Sequence, residues 1–197
     1  MEPTTPPVRY EPALSGGKKT LLSVLVVIAL VLVAGLAAWF LLGRSSDDSA
    51  TTTTTPTTTK VGPVVVSQKT LSALAANAGH VVYWAGPIAG ERPEFTKTTT
   101  ARAFVRYLPA GVKAGDPSTG YLVVATYPFS NAYAALEKVA KGAAVKIPGG
   151  GIAVVSTANP TSVNFAFPGV PYQGEVYDPS PEKALEVATS GDIQPVP

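Results

Sequence analysis

The hydrophobic pattern divides the chain into one long apolar segment and a later region of shorter, alternating segments. Residues 21–43 contain no charged side chain, and about 20 apolar residues are enough for a helix to cross a bilayer core. A helix on the surface of a soluble protein would have a polar face, which this segment lacks. The pattern therefore predicts a transmembrane helix at residues 21–43, with a cleaved signal peptide as the alternative.

Charged residues beside the apolar segment predict its orientation. Arg9, Lys18 and Lys19 precede it, whereas Arg44 after it is soon followed by aspartates. Lys and Arg accumulate on the cytoplasmic side of a membrane. We therefore expect a single-pass, signal-anchor protein of the cell membrane. Residues 21–43 hold it in the lipid bilayer, with the N-terminus in the cytoplasm and the C-terminal domain outside.

The segments on either side of the apolar segment have low-complexity compositions. Residues 1–20 are rich in Pro, Thr and Gly, which predicts a disordered cytoplasmic tail. Residues 44–62 are dominated by Thr with Pro, a composition typical of an extended, disordered stalk that is often O-glycosylated. Residues 63–197 remain for folding, a length that suits one extracytoplasmic domain.

Helix and strand signals alternate in the predicted domain. Ser67 or Thr70 precedes a first amphipathic segment, residues 132–141 form a second, and Ser180 begins a third. Strand signals, which are runs of β-branched and aromatic residues, occur at residues 80–84, 95–99, 101–108, 121–127, 144–147, 152–155, 161–167 and 172–177. These elements predict an α+β fold with about three helices on a mostly antiparallel sheet.

Three of these strands and the chain end carry more specific predictions. Residues 121–127 are apolar on both faces, which predicts a central strand. Residues 95–99 and 101–108 predict a hairpin. The Pro-containing end, residues 193–197, has no regular pattern and is expected to be a frayed tail.

The domain also has a pattern of two tandem repeats. Residues 121–128 and 172–179 are each followed by a helix and a glycine, and residues 104–111 resemble residues 163–169 upstream of them. We expect two such units to stack their sheets and to share the helices as one face. Short aromatic, Pro and Gly strings also recur by chance, so both interpretations stay open.

Composition excludes several kinds of chemistry. The chain has no cysteine, which excludes disulfides, thiolate catalysis and Cys-ligated metals. The net charge of +2 and the absence of a cluster of basic residues argue against a nucleic-acid partner. His80 is the only histidine, so a zinc site would need several carboxylates, and we expect neither a metal nor another cofactor.

No residue pattern identifies a catalytic set. His80 has no G-x-S-x-G serine to activate, and we expect it to have a structural role. Glu91 with Glu94, and Glu175 with Asp178, are the candidate carboxylate pairs for glycoside hydrolysis. Ordinary surface acids are the more common interpretation of such pairs. We therefore expect no catalytic residues and no enzyme.

Four residues are candidates for ligand binding. Tyr83 and Trp84 begin a string in which aromatic rings stand beside small residues, a combination that suits a sugar or a Pro-rich peptide. The alternative is that Trp84 anchors the core. Arg102 and Arg106 share one face of a predicted strand with Phe104 between them. They would bind an anion or face solvent, and we favour solvent.

Three strings in the domain resemble a known group of proteins. They are HVVYWAGP at residues 80–87, FVRYLPAG at residues 104–111 and VYDPSP at residues 176–181. With the short tail, single span and Thr-rich stalk, they resemble actinobacterial single-pass membrane proteins that carry a small exported domain without a known function. The resemblance implies the location of the domain and implies no activity.

These observations favour a non-enzymatic binding domain that is anchored in the membrane and faces the extracytoplasmic side. A stalk that holds a compact domain away from the bilayer suits a domain that binds another envelope component, either a protein or a glycan. The alternative is a small cell-envelope hydrolase that uses paired carboxylates.

Overall fold

The computed structural model describes residues 59–197. The predicted tail and transmembrane helix, and the stalk up to residue 58, lie outside the described residues and stay predictions. Within residues 59–197, no helix has the length and apolar composition needed to span a bilayer.

The main feature of the domain is an antiparallel sheet of eight strands. In the order β1–β3–β4–β5–β9–β8–β7–β6, each strand is hydrogen-bonded to the next. Its strands are β1 (Val61–Val65), β3 (Glu91–Lys97), β4 (Ala103–Pro109), β5 (Val123–Pro128), β6 (Val145–Ile147), β7 (Gly151–Val155), β8 (Ser162–Ala166) and β9 (Tyr172–Tyr177). The predicted α+β fold with a mostly antiparallel sheet is therefore confirmed.

The strand order consists of two meanders that meet in the middle of the sheet. Strands β3, β4 and β5 follow one another on one side, and β7, β8 and β9 do so on the other. β5 pairs with β9 from Val123 opposite Tyr177 to Pro128 opposite Tyr172. The expectation that two units stack their sheets was wrong, because this pairing joins the meanders edge to edge in a single sheet.

Three helices lie in the described region, and local capping explains where two of them begin. α1 (Gln68–Ala76) begins after Ser67, whose side chain accepts a hydrogen bond from the Thr70 amide. α3 (Pro181–Thr189) begins after Ser180, which caps it in the same way. α2 (Ala132–Ala140) follows Asn131, which makes no side-chain cap, and ends at Lys141 in the left-handed conformation.

The helices cover both faces of the sheet. We call the face with Phe95, Val105, Val124, Phe165 and Val176 the core face, because these residues join one buried cluster with α1 and α3. The opposite face carries Ile152 and Ala166, which pack against α2. Successive residues in a strand point to opposite faces. The expectation that the helices share one face was therefore wrong.

A second, two-stranded sheet lies over the core face. β2 (Tyr83–Trp84) pairs with β10 (Gln194–Pro195), and the Val196 amide donates to the Val82 carbonyl. Ile193, just before β10, is buried. The expected frayed tail was therefore wrong, because the chain end is held by backbone pairing and by an apolar anchor.

β1 begins at Val61, so the sheet includes residues 61 and 62, which were predicted to belong to the stalk. β1 pairs with the outer edge of β3.

The predicted hairpin is confirmed as β3 and β4, which are antiparallel over the whole length of both strands. The predicted central strand is confirmed as β5, which lies between β4 and β9.

Candidate functional site

A pocket of about 240 Å³ opens where α1, the β2–β3 loop and β3 meet. Its lining residues come from three separate stretches of the chain: Val66, Ser67 and Gln68; Trp84, Gly86, Pro87, Ile88, Glu91, Arg92 and Pro93; and Tyr107. Most of the lining is apolar, with Ser67, Gln68, Glu91 and Arg92 as its polar members. Such a mixture of an apolar surface and a few polar groups is typical of binding sites.

Backbone and side-chain hydrogen bonds fix the walls of the pocket. The Val66 amide donates to the Pro93 carbonyl, which ties the link between β1 and α1 to β3. The Tyr107 hydroxyl donates to the Gly86 carbonyl at 3.0 Å and accepts from the Ala85 amide at 2.7 Å. Burial raises the pKa of this hydroxyl, so it stays protonated and keeps both bonds.

Trp84 is the most informative residue of the pocket. Its side chain is 2% exposed, and its Nε1 has no hydrogen-bond partner in the described structure. A buried indole N–H usually has a partner, and leaving a buried donor unpaired costs about 1–3 kcal/mol. Trp84 thus anchors the core, as one interpretation expected, and it is a pocket-lining residue whose own indole donor is unsatisfied.

Tyr83 has no part in this lining. Its ring packs on Phe165 and Phe167, with centroid distances of 5.3 and 5.5 Å. Its backbone amide donates to the Thr126 hydroxyl at 3.0 Å. Tyr83 therefore fastens β2 to the core face of the sheet, and the ligand-binding role predicted for it gains no support from its position.

Arg106 is buried in an ion pair on the face opposite the core face. Its Nε donates to Glu94 Oε1 at 2.8 Å, and Nη2 donates to Oε2 at 3.0 Å. Nη1 donates to the Asp116 carbonyl, and Glu94 Oε2 also accepts from the Gly115 amide at 2.6 Å. The expectation that Arg106 faces solvent was wrong, because this bidentate pair holds the loop that follows β4.

Arg102 lies on the same face as Arg106 but in a more open position. It is half-buried, with its guanidinium carbon 6.0 Å from the centroid of the Tyr127 ring. Because β4 alternates, both arginines lie on the face opposite Tyr107, which lines the pocket. The structure therefore separates the four candidate residues into an aromatic pair on one face and an arginine pair on the other.

The face opposite the core face also carries a cluster of polar side chains around Glu175, between the Glu94–Arg106 pair and α2. The Tyr127 hydroxyl donates to Glu175 Oε2 at 2.9 Å, and the Gln173 amide donates to Asn164 Oδ1 at 2.8 Å. Burial raises the pKa of the Glu175 carboxyl, and hydrogen bonds from Ser162 and Tyr127 oppose that effect. We call Glu175, Tyr127, Asn164, Gln173 and Ser162 the central polar cluster.

In each candidate carboxylate pair, at least one carboxylate is engaged in an ion pair with another residue. Glu94 is held by Arg106, while Glu91 is three residues away on the same strand and thus on the other face. Asp178 Oδ1 accepts from the Ser180 amide, and Oδ2 is 3.4 Å from Lys183 Nζ. Glu175 is the only one of the four that is buried without an arginine or lysine partner among the described contacts.

His80 has structural contacts. Its ring stacks on Tyr172 with a centroid distance of 5.0 Å, and its Nδ1 is 2.7 Å from the Val81 carbonyl oxygen. In residues 59–197, no group of three His, Cys, Asp or Glu side chains is placed to hold a metal ion.

Comparisons of the chain with protein-family models, with curated proteins and with solved structures found no match.

Sequence reasoning identified Trp84 but missed the rest of the pocket. Aromatic residues beside Gly86 and Pro87 were the available signal. The remaining lining residues come from β3, β4 and the start of α1, and only the pairing of these elements brings them next to Trp84. The central polar cluster was missed for the same reason, since Glu175 and Tyr127 lie on neighbouring strands that are distant in sequence.

Proposed function

We propose that this protein is a membrane-anchored, extracytoplasmic binding domain and that its ligand site is the Trp84 pocket. The observation that carries the proposal is a mostly apolar pocket lined in part by Trp84, whose buried indole N–H has no hydrogen-bond partner. A ligand carbonyl or hydroxyl oxygen that accepts this hydrogen bond would remove the cost of the unpaired donor. The site thus favours a ligand with an acceptor atom beside an apolar group.

The size of the pocket indicates what kind of ligand it takes. Pockets that enclose whole small molecules usually have volumes of about 300–1,000 Å³, and this pocket has about 240 Å³. It therefore suits one side chain or one ring of a larger ligand. A protein segment or a glycan of the cell envelope meets this requirement, and we propose such an envelope component as the partner.

Tethering completes the proposed function. Residues 21–43 would anchor the protein in the cell membrane, and the stalk before Val61 would hold the domain away from the bilayer surface.

We also propose that the two meanders are the tandem repeats indicated by the sequence. The strand order supports this proposal. β5 and β9 are neighbours in the middle of the sheet, β4 lies beside β5, and β8 lies beside β9, so the order is symmetric about the β5–β9 pair.

Protease accessibility in intact cells tests the location. We expect an added protease to remove residues 59–197 from whole cells and to leave the N-terminal tail protected until the cells are lysed. A matched cytoplasmic protein serves as the control for cell integrity. Protection of the domain in intact cells, with cleavage only after lysis, would contradict the proposed orientation.

Site-specific photo-crosslinking tests the binding function in the membrane. A photoreactive amino acid replaces Gln68, an exposed residue of the pocket lining, in the full-length protein. The control variant carries the same amino acid in place of Lys138, which is exposed on α2 on the opposite face. We expect a defined, saturable adduct from position 68 only. Adducts that are the same from both positions would overturn the assignment of the pocket.

One observation keeps a second function open. Glu175 is a buried carboxyl with a raised pKa, which is the property of a general acid in glycoside hydrolysis. Activity against envelope glycans that disappears in Glu175→Gln, while the variant keeps its unfolding midpoint, would favour the hydrolase. Equal turnover by the variant and the original protein would remove that alternative.

A further inference from the structure

One end of the eight-stranded sheet receives the chain from the stalk, and we call it the entry end. β1 begins there, because Val61 pairs with Lys97 at the end of β3. The strand register places further chain connections at the same end, namely residues 98–102, 129–131, 148–150 and 167–171. The entry end therefore has the shortest covalent connection to the predicted membrane span.

The connections at the entry end contain basic residues and no acidic ones. Residues 59–60, 98–102, 129–131, 148–150 and 167–171 include Lys60 and Arg102 but neither Asp nor Glu. Lys60 is exposed and Arg102 is half-buried, and neither forms an ion pair within residues 59–197. The connections at the opposite end, by contrast, contain Asp116 and Asp178.

Asp192 comes near the entry end from α3. It follows Gly191, which lies beside Pro148 in the β6–β7 connection. Its Oδ2 accepts a hydrogen bond from the Ser190 hydroxyl at 2.8 Å. This carboxylate is therefore engaged next to the connections and is not a member of them.

An exposed apolar tip accompanies the basic residues. Phe129, between β5 and α2, is 42% exposed and is the one aromatic ring among the large exposed apolar side chains of residues 59–197. Its amide donates to the Pro171 carbonyl at 3.0 Å, which ties this turn to the β8–β9 connection. Pro128, Pro168 and Pro171 in these two turns are also exposed. Proline rings and the backbone bond keep the tip rigid.

An apolar ring beside cations without acidic partners suits the surface of an anionic bilayer. Aromatic side chains are enriched where acyl chains meet headgroups, and each basic residue near an anionic surface strengthens binding by about fivefold. Arg102 lies beside Tyr127, two residues before Phe129, with its guanidinium carbon 6.0 Å from the Tyr127 ring centroid. Arg102 and Lys60 can therefore contact phosphates while Phe129 enters the layer below them.

We infer that the entry end is a membrane-docking surface whose partner is the anionic lipid bilayer in which the protein is anchored. This inference rests on the proposed anchoring and adds a second contact with the same membrane. One aromatic ring and two cations bind a bilayer weakly by themselves. A tether keeps them at a high effective concentration near the bilayer, so weak contacts are sufficient.

Docking gives the Trp84 pocket a defined direction. The pocket residues Glu91 and Tyr107 belong to the opposite end of the sheet, since Glu91 is six residues from Lys97 along β3, or about 20 Å. A docked domain thus presents the pocket away from the bilayer, toward an envelope partner. The stalk sets how far the domain extends when it is released, and docking is the position nearest to the bilayer.

Quenching by brominated lipid in nanodiscs tests the contact on the full-length protein. Trp39→Phe removes the tryptophan of the predicted span, and Phe129→Trp places a reporter at the tip. The Trp39→Phe protein alone gives the background from the buried Trp84. The discs contain brominated phosphatidylcholine, either alone or with one third phosphatidylglycerol. We expect the added tryptophan to lose emission in the anionic discs, because bromine quenches tryptophan on contact.

Position and charge controls accompany the reporter. Lys113→Trp places the same ring on an exposed loop at the opposite end, and its emission should not change. Lys60→Gln removes a cation that precedes the sheet, so it leaves the fold intact. We expect it to lower the ratio of docked to released domain by about fivefold. High salt should release the domain as well, because it screens the attraction.

Each result decides the inference separately from the pocket. Quenching at position 129 in anionic discs, weakened by Lys60→Gln and by salt and absent at position 113, supports docking. Equal quenching at both positions, equal quenching in neutral and anionic discs, or no quenching at position 129 would overturn it. Failure here leaves the proposed function standing, since crosslinking at position 68 and protease treatment of cells test that function by other readouts.

Discussion

At the scale of single residues, the Glu94–Arg106 pair is expected to have a large effect on stability. Both side chains are almost completely buried, and both also bind the backbone of the loop after β4. Removing one partner of a buried ion pair leaves an uncompensated charge, which costs about 3–5 kcal/mol. We therefore expect Arg106→Ala to lower the free energy of unfolding in urea by about that amount.

A surface ion pair of the same chain is the control. Lys183 is 3.4 Å from Asp178, and its side chain is 49% exposed. Exposed pairs contribute about 0–1 kcal/mol, so Lys183→Ala should change stability by no more than this. Equal losses for the two variants would show that Arg106 is solvated in the folded protein, contrary to the structure.

Glu175 gives the domain a specific dependence of stability on pH. Its pKa in the folded protein is raised, chiefly by burial, so the protonated carboxyl is favoured by folding. Its stabilising contribution is complete below the ordinary glutamate pKa and is lost as the pH rises through the raised value. We expect the original protein to lose stability relative to Glu175→Gln over that range. Parallel pH profiles in urea unfolding would contradict this expectation.

At the scale of elements, the packing of β8 against β9 depends on one residue without a side chain. Gly174 in β9 lies directly opposite Phe165 in β8, and a β-carbon at position 174 would overlap the Phe165 ring. Gly174→Ala should therefore destabilise the domain by about 1–3 kcal/mol, or more if the strands separate.

A second change at the same contact distinguishes overlap from other causes. In the double variant Gly174→Ala with Phe165→Leu, the smaller side chain makes room for the new methyl group. We expect the double variant to be more stable than the sum of the two single losses predicts, measured by urea unfolding in a double-mutant cycle. Simple additivity would mean that the methyl group and the ring do not meet.

The C-terminal strand gives a further prediction. A chain that ends at Ile193 keeps its buried anchor and loses both β10 and the hydrogen bond from Val196 to Val82. We expect stability to fall by about 0.5–1.5 kcal/mol per hydrogen bond lost. The chain has two tryptophans, so the Trp39→Phe variant leaves Trp84 as the only one. In that variant, the tryptophan fluorescence emission should shift to longer wavelength when the chain ends at Ile193, because β2 is no longer paired. Unchanged emission would show that β10 does not hold the pocket strand.

Elements with local signals were predictable from the sequence. Ser67, and Ser180 with Pro181, identify the beginnings of α1 and α3 because an N-cap depends only on a few neighbouring residues. β9 was predicted with its observed bounds, residues 172–177. Alternation and flanking turns are properties of the segment itself, so they can be recognised without a partner strand.

The failures all concern partners that are distant in the chain. β10 has two residues, one of them a proline, and it is a strand only because β2 lies beside it. The burial of Arg106 depends on the register that places Glu94 opposite it. The pairing of β5 with β9, which prevents the predicted stacking of two sheets, likewise joins strands that are far apart in the sequence.

At the scale of the whole domain, the β5–β9 pair makes the two meanders one cooperative unit. Val124 and Val176 face each other across it, and both are fully buried in the cluster that also contains Phe95 from one meander and Phe165 from the other. We expect Val176→Ala to lower stability by about 1–3 kcal/mol. Hydrogen exchange should accelerate in both meanders to the same extent. Loss of protection in only one meander would show that they unfold separately.

The position of β1 has a mechanical consequence. The chain enters the sheet at Val61, runs along β1 and then reaches Val66 and Ser67 in the pocket lining. If the proposed tether and the proposed ligand both act on the domain, they would pull it along the axis of β1. The β1–β3 hydrogen bonds run across that axis, so they bear the tension together, in shear. A force directed across β1 would instead open them one after another.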